Sequence, residues 1–135
     1  MNVRGVHHVA MAVEDLSEAI ETYKRLFGAT VELRDRSERD GIEAVYLRVG
    51  GERVELVSAL EPDTPVGRFL AKRGPGMHHV AFEVEDVAAA IGELTADGVE
   101  VIDSVPREGL GGHEVSFVHP DSLHGVLAEV VAARG

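Results

Sequence analysis

The sequence predicts an α+β fold: two βαβββ modules in pseudo-twofold arrangement, giving an open, curved eight-stranded sheet. Three observations carry this expectation. The chain contains an ungapped internal repeat, each copy passes from period-two alternation into helical spacing, and each is followed by three more strand-like segments.

The repeat sets HHVAMAVEDLSEAI (7–20) over HHVAFEVEDVAAAI (78–91). Nine of fourteen positions are identical at an offset of 71, where chance gives about one. In the first copy Val9, Met11 and Val13 share one strand face, while Val6, His8, Ala10 and Ala12 share the other. In the second copy Val80, Phe82 and Val84 oppose His79, Ala81 and Glu83. Asp15 and Asp86 are suited to cap the helices that follow, and Glu18 completes a capping-box pattern with Asp15. Leu16, Ala19, Ile20 and Tyr23 form an apolar stripe at helical spacing, as do Val87, Ala90, Ile91 and Leu94. Gly28 and Gly98 stand where left-handed C-terminal residues are expected.

Further strands are expected over roughly 29–35, 42–49 and 52–59, with Gly50-Gly51 as a hairpin turn. In the second half they are expected over roughly 99–103, 113–118 and 125–132. Between the halves, Thr64-Pro65 opens a short helix to about residue 73, with Val66, Phe69 and Leu70 on its apolar face and Gly74-Pro75-Gly76 as its stop. Module one therefore spans about 5–60 and module two about 76–132, within one domain over 1–135.

The 135 residues suffice for one buried core, and 44% hydrophobic with 27% charged residues is ordinary for a globular chain. A net charge of −11 without a basic cluster argues against nucleic acid as a partner, and the absence of tryptophan removes the best base-stacking platform. No apolar run is long enough for a membrane span, and MNVRGVHHVAMAV lacks the pattern of a secretory signal. With no cysteine there is no thiolate chemistry, and a cytoplasmic location is expected.

A duplicated half that cannot close its own core packs against its twin, so polar residues at matching inward positions mark a site. His8 and His79 are one such pair; Glu55 in RVELV and Glu129 in LAEVV, each on the last strand of its half, are the other. A carboxylate facing a helix-packed core would be a costly unpaired charge, so both glutamates are expected on the opposite face. Two imidazoles with two carboxylates suit one divalent first-row ion, such as cobalt, nickel, zinc or manganese, with positions left for water or substrate.

Other polar residues have plainer expectations. His7 and His78 precede the ligands and should serve orienting or structural roles. Glu83 shares the face of His79 but is as readily solvated; His113, His119 and His124 are candidates to touch substrate; and Glu100, Asp103 and Glu108 read as solvated surface. The glycine-rich stretch 109–112 opens no clear helix, which weakens it as a phosphate cradle.

Over residues 5–131 the chain resembles the vicinal oxygen chelate (glyoxalase/bleomycin resistance/dioxygenase) superfamily, and within it the methylmalonyl-CoA epimerases. The paired modules and the His–Glu–His–Glu set carry the first likeness. PDTPVGRFLAKRGPGMHHVAFEVED (62–86) and GGHEVSFVHPDSLHGVLAE (111–129) carry the second. The resemblance implies one metal ion held by His8, Glu55, His79 and Glu129, an acyl-CoA substrate, a homodimer, and epimerisation at the α-carbon through an enolate; our own candidate for one base is Glu129, expected to lie beside the substrate α-carbon as well as touching the metal.

Two positions depart from the family pattern. His7 stands where many members have aspartate. Counting from Gly41, Ala44 stands where some members carry a catalytic glutamate, with Glu43 one residue earlier on the opposite face; a bulge at Gly41 would bring Glu43 into play. Alternatives within the same resemblance are a glyoxalase I-like isomerase and a metal-free antibiotic-sequestering module. An extradiol dioxygenase would use only one carboxylate with its two histidines.

Overall fold

A computed structural model describes residues 1–132. In chain order its strands and helices are β1 (Val3–Ala12), α1 (Leu16–Phe27), β2 (Thr30–Ser37), β3 (Ile42–Val49), β4 (Glu52–Ala59), α2 (Pro65–Arg73), β5 (Gly76–Val84), α3 (Val87–Ala96), β6 (Arg107–Glu108), β7 (Glu114–Val118) and β8 (Ala128–Ala132). The α+β class and both βαβββ sequences are as expected. Among the described residues no helix is long and apolar enough to cross a membrane.

The chain divides into two compact units, Val9–His78 and Met1–His8 together with the residues from His79 onward. In the first unit the strand order is β2-β3-β4-β1, with Val9–Ala12 parallel to Val54–Val57 of β4. In the second the order is β1-β5-β8-β7-β6, with β5 parallel to β8 and β8 antiparallel to β7.

Each unit builds its core between a helix and one sheet face. Leu16, Ile20, Val45, Leu47 and Leu56 bury together in the first, joined by Met11, Val13, Ala19 and Tyr23. Leu47 and Leu56 are fully buried, each contributing about 1.5–3 kcal/mol. In the second unit Val84, Val87, Ala90, Ile91 and Val130 pack together with Leu94. Both expected helical stripes are the faces that bury.

The caps form as the sequence implies. Asp15 accepts the Glu18 N–H, Thr64 the Gly67 N–H and Asp86 the Ala89 N–H, each at 3.0 Å, and each is worth about 1 kcal/mol. Gly28 takes the left-handed conformation at φ 66° that closes α1.

One strand differs from expectation. The segment 99–103 makes only a single bridge, Val101 to Val118, and the paired edge strand is Arg107–Glu108. The cause is Asp103, whose carboxylate accepts the Phe117 N–H (2.9 Å) while its carbonyl accepts the Ser116 hydroxyl (2.8 Å). The side chain takes a backbone donor that a longer ladder would have used. Asp103 also pairs with Arg107 at 3.1 Å, so it is a structural residue and not solvated surface.

Candidate metal centre

The site is built by register. Ala81 of β5 lies opposite Glu129 of β8, and Phe117 of β7 lies opposite the same glutamate. Directly paired residues share a sheet face, so Glu129 stands on the face of Ala81, Phe117 and, by alternation along β5, His79. That is the face opposite Val130, which packs on α3. Ala81 is fully buried, and its small side chain leaves room for the carboxylate.

His8, His79 and Glu129 converge there. One ligand atom from each lies within 4.8 Å of the others, and the three residues are 1%, 7% and 6% exposed. The separations are 3.2 Å between His8 Nε2 and His79 Nε2, 3.6 Å from His8 Nε2 to Glu129 Oε1, and 4.0 Å from His79 Nε2 to Glu129 Oε2. Ligand atoms about 2.1 Å from a shared ion lie about 3.0 Å apart at right angles and about 3.4 Å apart at tetrahedral angles. Two imidazole nitrogens and one carboxylate at these spacings therefore fit a divalent first-row ion.

The surrounding rings hold the ligands. Phe117 sets its ring perpendicular to His79, centroids 5.1 Å apart, and the Arg107 guanidinium lies 5.5 Å over the Phe117 ring. His7 Nδ1 lies 2.8 Å from His8 Nδ1, and the His113 ring meets His7 edge-on at 5.7 Å. His7 therefore meets His8 at the ring nitrogen away from the one that faces His79 and Glu129. His78 is structural, its ring perpendicular to Phe69 of α2 at 4.9 Å.

In the other unit Glu55 is 6% exposed and occupies the repeat-equivalent place. It is paired with Ala10 across parallel β1–β4, as Glu129 is with Ala81 across parallel β5–β8. Tyr46 of β3 lies opposite Glu55 as Phe117 lies opposite Glu129. Alternation along the strand already places Tyr46 with Ala44 on the face away from Val45 and Leu47, whereas Phe117 reads as ordinary core; the shared register with the two glutamates is the signal that pairs them.

Glu43 is accounted for elsewhere. The β3–β4 register runs unbroken from Ile42 to Val49, so there is no bulge at Gly41; the irregularity lies in β2, between Val31 and Leu33. The Glu43 carboxylate accepts from Arg34 Nε at 2.9 Å, and Arg34 donates onward to Ser17 of α1. This is the helix side of the strand. Glu83 is partly exposed and lies 3.9 Å from Arg4. His119 accepts the Asp121 N–H and stands 3.5 Å from the Glu100 carboxylate, while exposed His124 takes the left-handed conformation after a 3₁₀ turn. Of the three late histidines, only His113 belongs to the ring cluster around His8. The stretch Leu110–Gly112 forms a 3₁₀ turn and opens no α-helix.

Comparison with known proteins agrees with this architecture. Residues 7–117 match the Glyoxalase/Bleomycin resistance protein/Dioxygenase superfamily. A mitochondrial methylmalonyl-CoA epimerase of Dictyostelium discoideum is 35% identical over 93% of this chain and 76% of its own. An ethylmalonyl-CoA/methylmalonyl-CoA epimerase of Cereibacter sphaeroides is 34% identical over 93% and 95%. Among solved structures, the methylmalonyl-CoA epimerase of Mycobacterium tuberculosis superposes with a TM-score of 0.94 at 32% identity, covering 98% of this chain and 90% of that one. A Streptomyces coelicolor methylmalonyl-CoA epimerase variant in complex with 2-nitronate-propionyl-CoA gives 0.95 at 31%, covering 99% and 100%. With the superfamily matched over most of its length, and epimerases among the relatives it resembles nearly end to end, this chain belongs to the glyoxalase/bleomycin resistance protein/dioxygenase superfamily.

Proposed function

We propose that this protein is a metal-dependent epimerase that interconverts the epimers of methylmalonyl-CoA, or of a closely related acyl-CoA, through an enolate. The observation that carries the reading is the convergence of His8, His79 and Glu129, all buried and all at ligand spacing. It is supported by relatives that are themselves methylmalonyl-CoA epimerases. These three residues would hold one divalent ion, cobalt, nickel, zinc or manganese. Glu55 is the fourth ligand that the family resemblance implies; within its own unit it holds the register that Glu129 holds in the other. A homodimer is the assembly that the family resemblance implies.

When bound, such an ion supplies Lewis-acid stabilisation of the charge that develops on the thioester oxygen. The chain's own residues do the remaining work. The buried imidazoles exclude water and fix the Glu129 carboxylate, whose Oε1 faces His8 and Oε2 faces His79. Glu129 takes the C2 proton, the C–H electron pair passes into the enolate, and a second group returns a proton to the other face. The sum is inversion at C2, with no redox change and no leaving group. Glu43 takes no part, being committed to Arg34 on the helix side.

Incubation with methylmalonyl-CoA in deuterated water, with each of the four metals, tests the assignment. The expected result is deuterium at C2 together with racemisation, and no isomerisation of a thiol hemithioacetal. Isomerisation of the hemithioacetal without C2 exchange would establish a glyoxalase-like activity in its place.

A further inference from the structure

We propose that His7 is a positioning residue whose Nδ1 accepts the Nδ1–H of His8 and so keeps His8 Nε2 in the lone-pair form that a metal requires. This role rests on the metal centre proposed above. It concerns a position where the chain carries histidine in both repeat copies but uses the two differently.

The geometry leaves few choices. His7 Nδ1 and His8 Nδ1 are 2.8 Å apart, a hydrogen-bond distance, with both rings buried. A neutral imidazole carries one N–H and one lone pair, so a bond between these two nitrogens fixes both tautomers together. If His8 donates, its Nε2 is bare and directed at His79 Nε2 and Glu129, and His7 carries its own proton on Nε2. If His7 donates, His8 must carry its proton on Nε2, where it blocks ligation. Only the first arrangement serves a metal, and metal-bound histidines ordinarily donate their second N–H to such an acceptor.

Neighbouring groups hold His7 in place. Its ring stands perpendicular to His8 at 5.1 Å and meets the His113 ring edge-on at 5.7 Å. The repeat supplies an internal contrast, because His78 turns its ring against Phe69 instead.

The side chains suited to the test follow from atom positions. Asparagine places its Oδ1 as many bonds from the backbone as histidine places Nδ1, and Oδ1 accepts; leucine has similar bulk there and accepts nothing. His7→Asn should bind zinc or cobalt close to wild type. His7→Leu should weaken it about 10–100-fold, with circular dichroism unchanged. Independently, long-range ¹⁵N–¹H spectra of the metal-free wild type should show His8 protonated on Nδ1 and bare on Nε2. Equal metal affinity in wild type and His7→Leu, or His8 protonated on Nε2 in the wild type, overturns the proposal. If the wild type binds no metal, the metal centre itself is refuted, and the His8 tautomer alone decides whether His7 orients it. The wild-type spectrum also decides the matter if His7→Leu does not fold.

Discussion

Replacing Glu129 with glutamine separates what the carboxylate does for the fold from what it does for a metal. Glutamine keeps the volume and one acceptor oxygen at the place in β8 opposite Ala81 and Phe117, so strand pairing has no reason to change. It removes a negative charge that is 6% exposed, and burial of that charge is a cost wherever no cation offsets it. The metal-free variant should therefore melt at or above the wild type. Added metal should reverse the order. A ligand binding only the folded state stabilises by RT ln(1 + [L]/Kd), about 2.7 kcal/mol at 100 times Kd. For a chain of this length that is a rise of roughly 8–14 °C. Losing the one anionic donor among three convergent ligands weakens affinity about 100-fold, so at the same concentration the variant gains only about 0.4 kcal/mol, or roughly 1–2 °C. Differential scanning calorimetry with and without zinc reads both numbers. An equal metal-induced rise in both proteins would refute the placement of Glu129 in the metal centre.

Two further outcomes follow from the same structure. Glu43→Gln should leave C2 exchange nearly unchanged, because the carboxylate is held by Arg34 on the helix side; a loss of about 100-fold, the scale for removing a general base, would identify it as the missing base. Asp103→Ala strands the Phe117 N–H and removes the carboxylate 3.1 Å from Arg107, and should cost about 1–3 kcal/mol in urea denaturation, whereas unchanged stability would show that the backbone re-pairs.

Much of the fold was legible because duplication repeats its own signals. His8 and His79 stand 71 residues apart in a matching string, and a matching string folds into matching register, which is how Glu55 and Glu129 come to face paired alanines. The α1 and α3 stripes were legible because burial follows the helical period. The edge strand was not. Val99, Glu100 and Val101 alternate like a strand, yet an aspartate side chain two residues on takes the donor that pairing needs, and the ladder resumes only at Arg107. Such side-chain competition has no periodic signature. The packing of Phe117 on His79 and of His113 on His7 was equally hidden, since each joins residues far apart in sequence whose types also suit a plain core or loop.

One ion held by His8, His79 and Glu129 is proposed to support proton exchange at C2. The most direct test is the C2 deuterium-exchange rate of chelator-stripped protein during titration with a divalent metal. Exchange should be nearly absent at the start, rise with added metal and level off at one ion per chain, with no such rise in His79→Ala. Full exchange before any metal is added, or stoichiometric metal uptake without exchange, would contradict it.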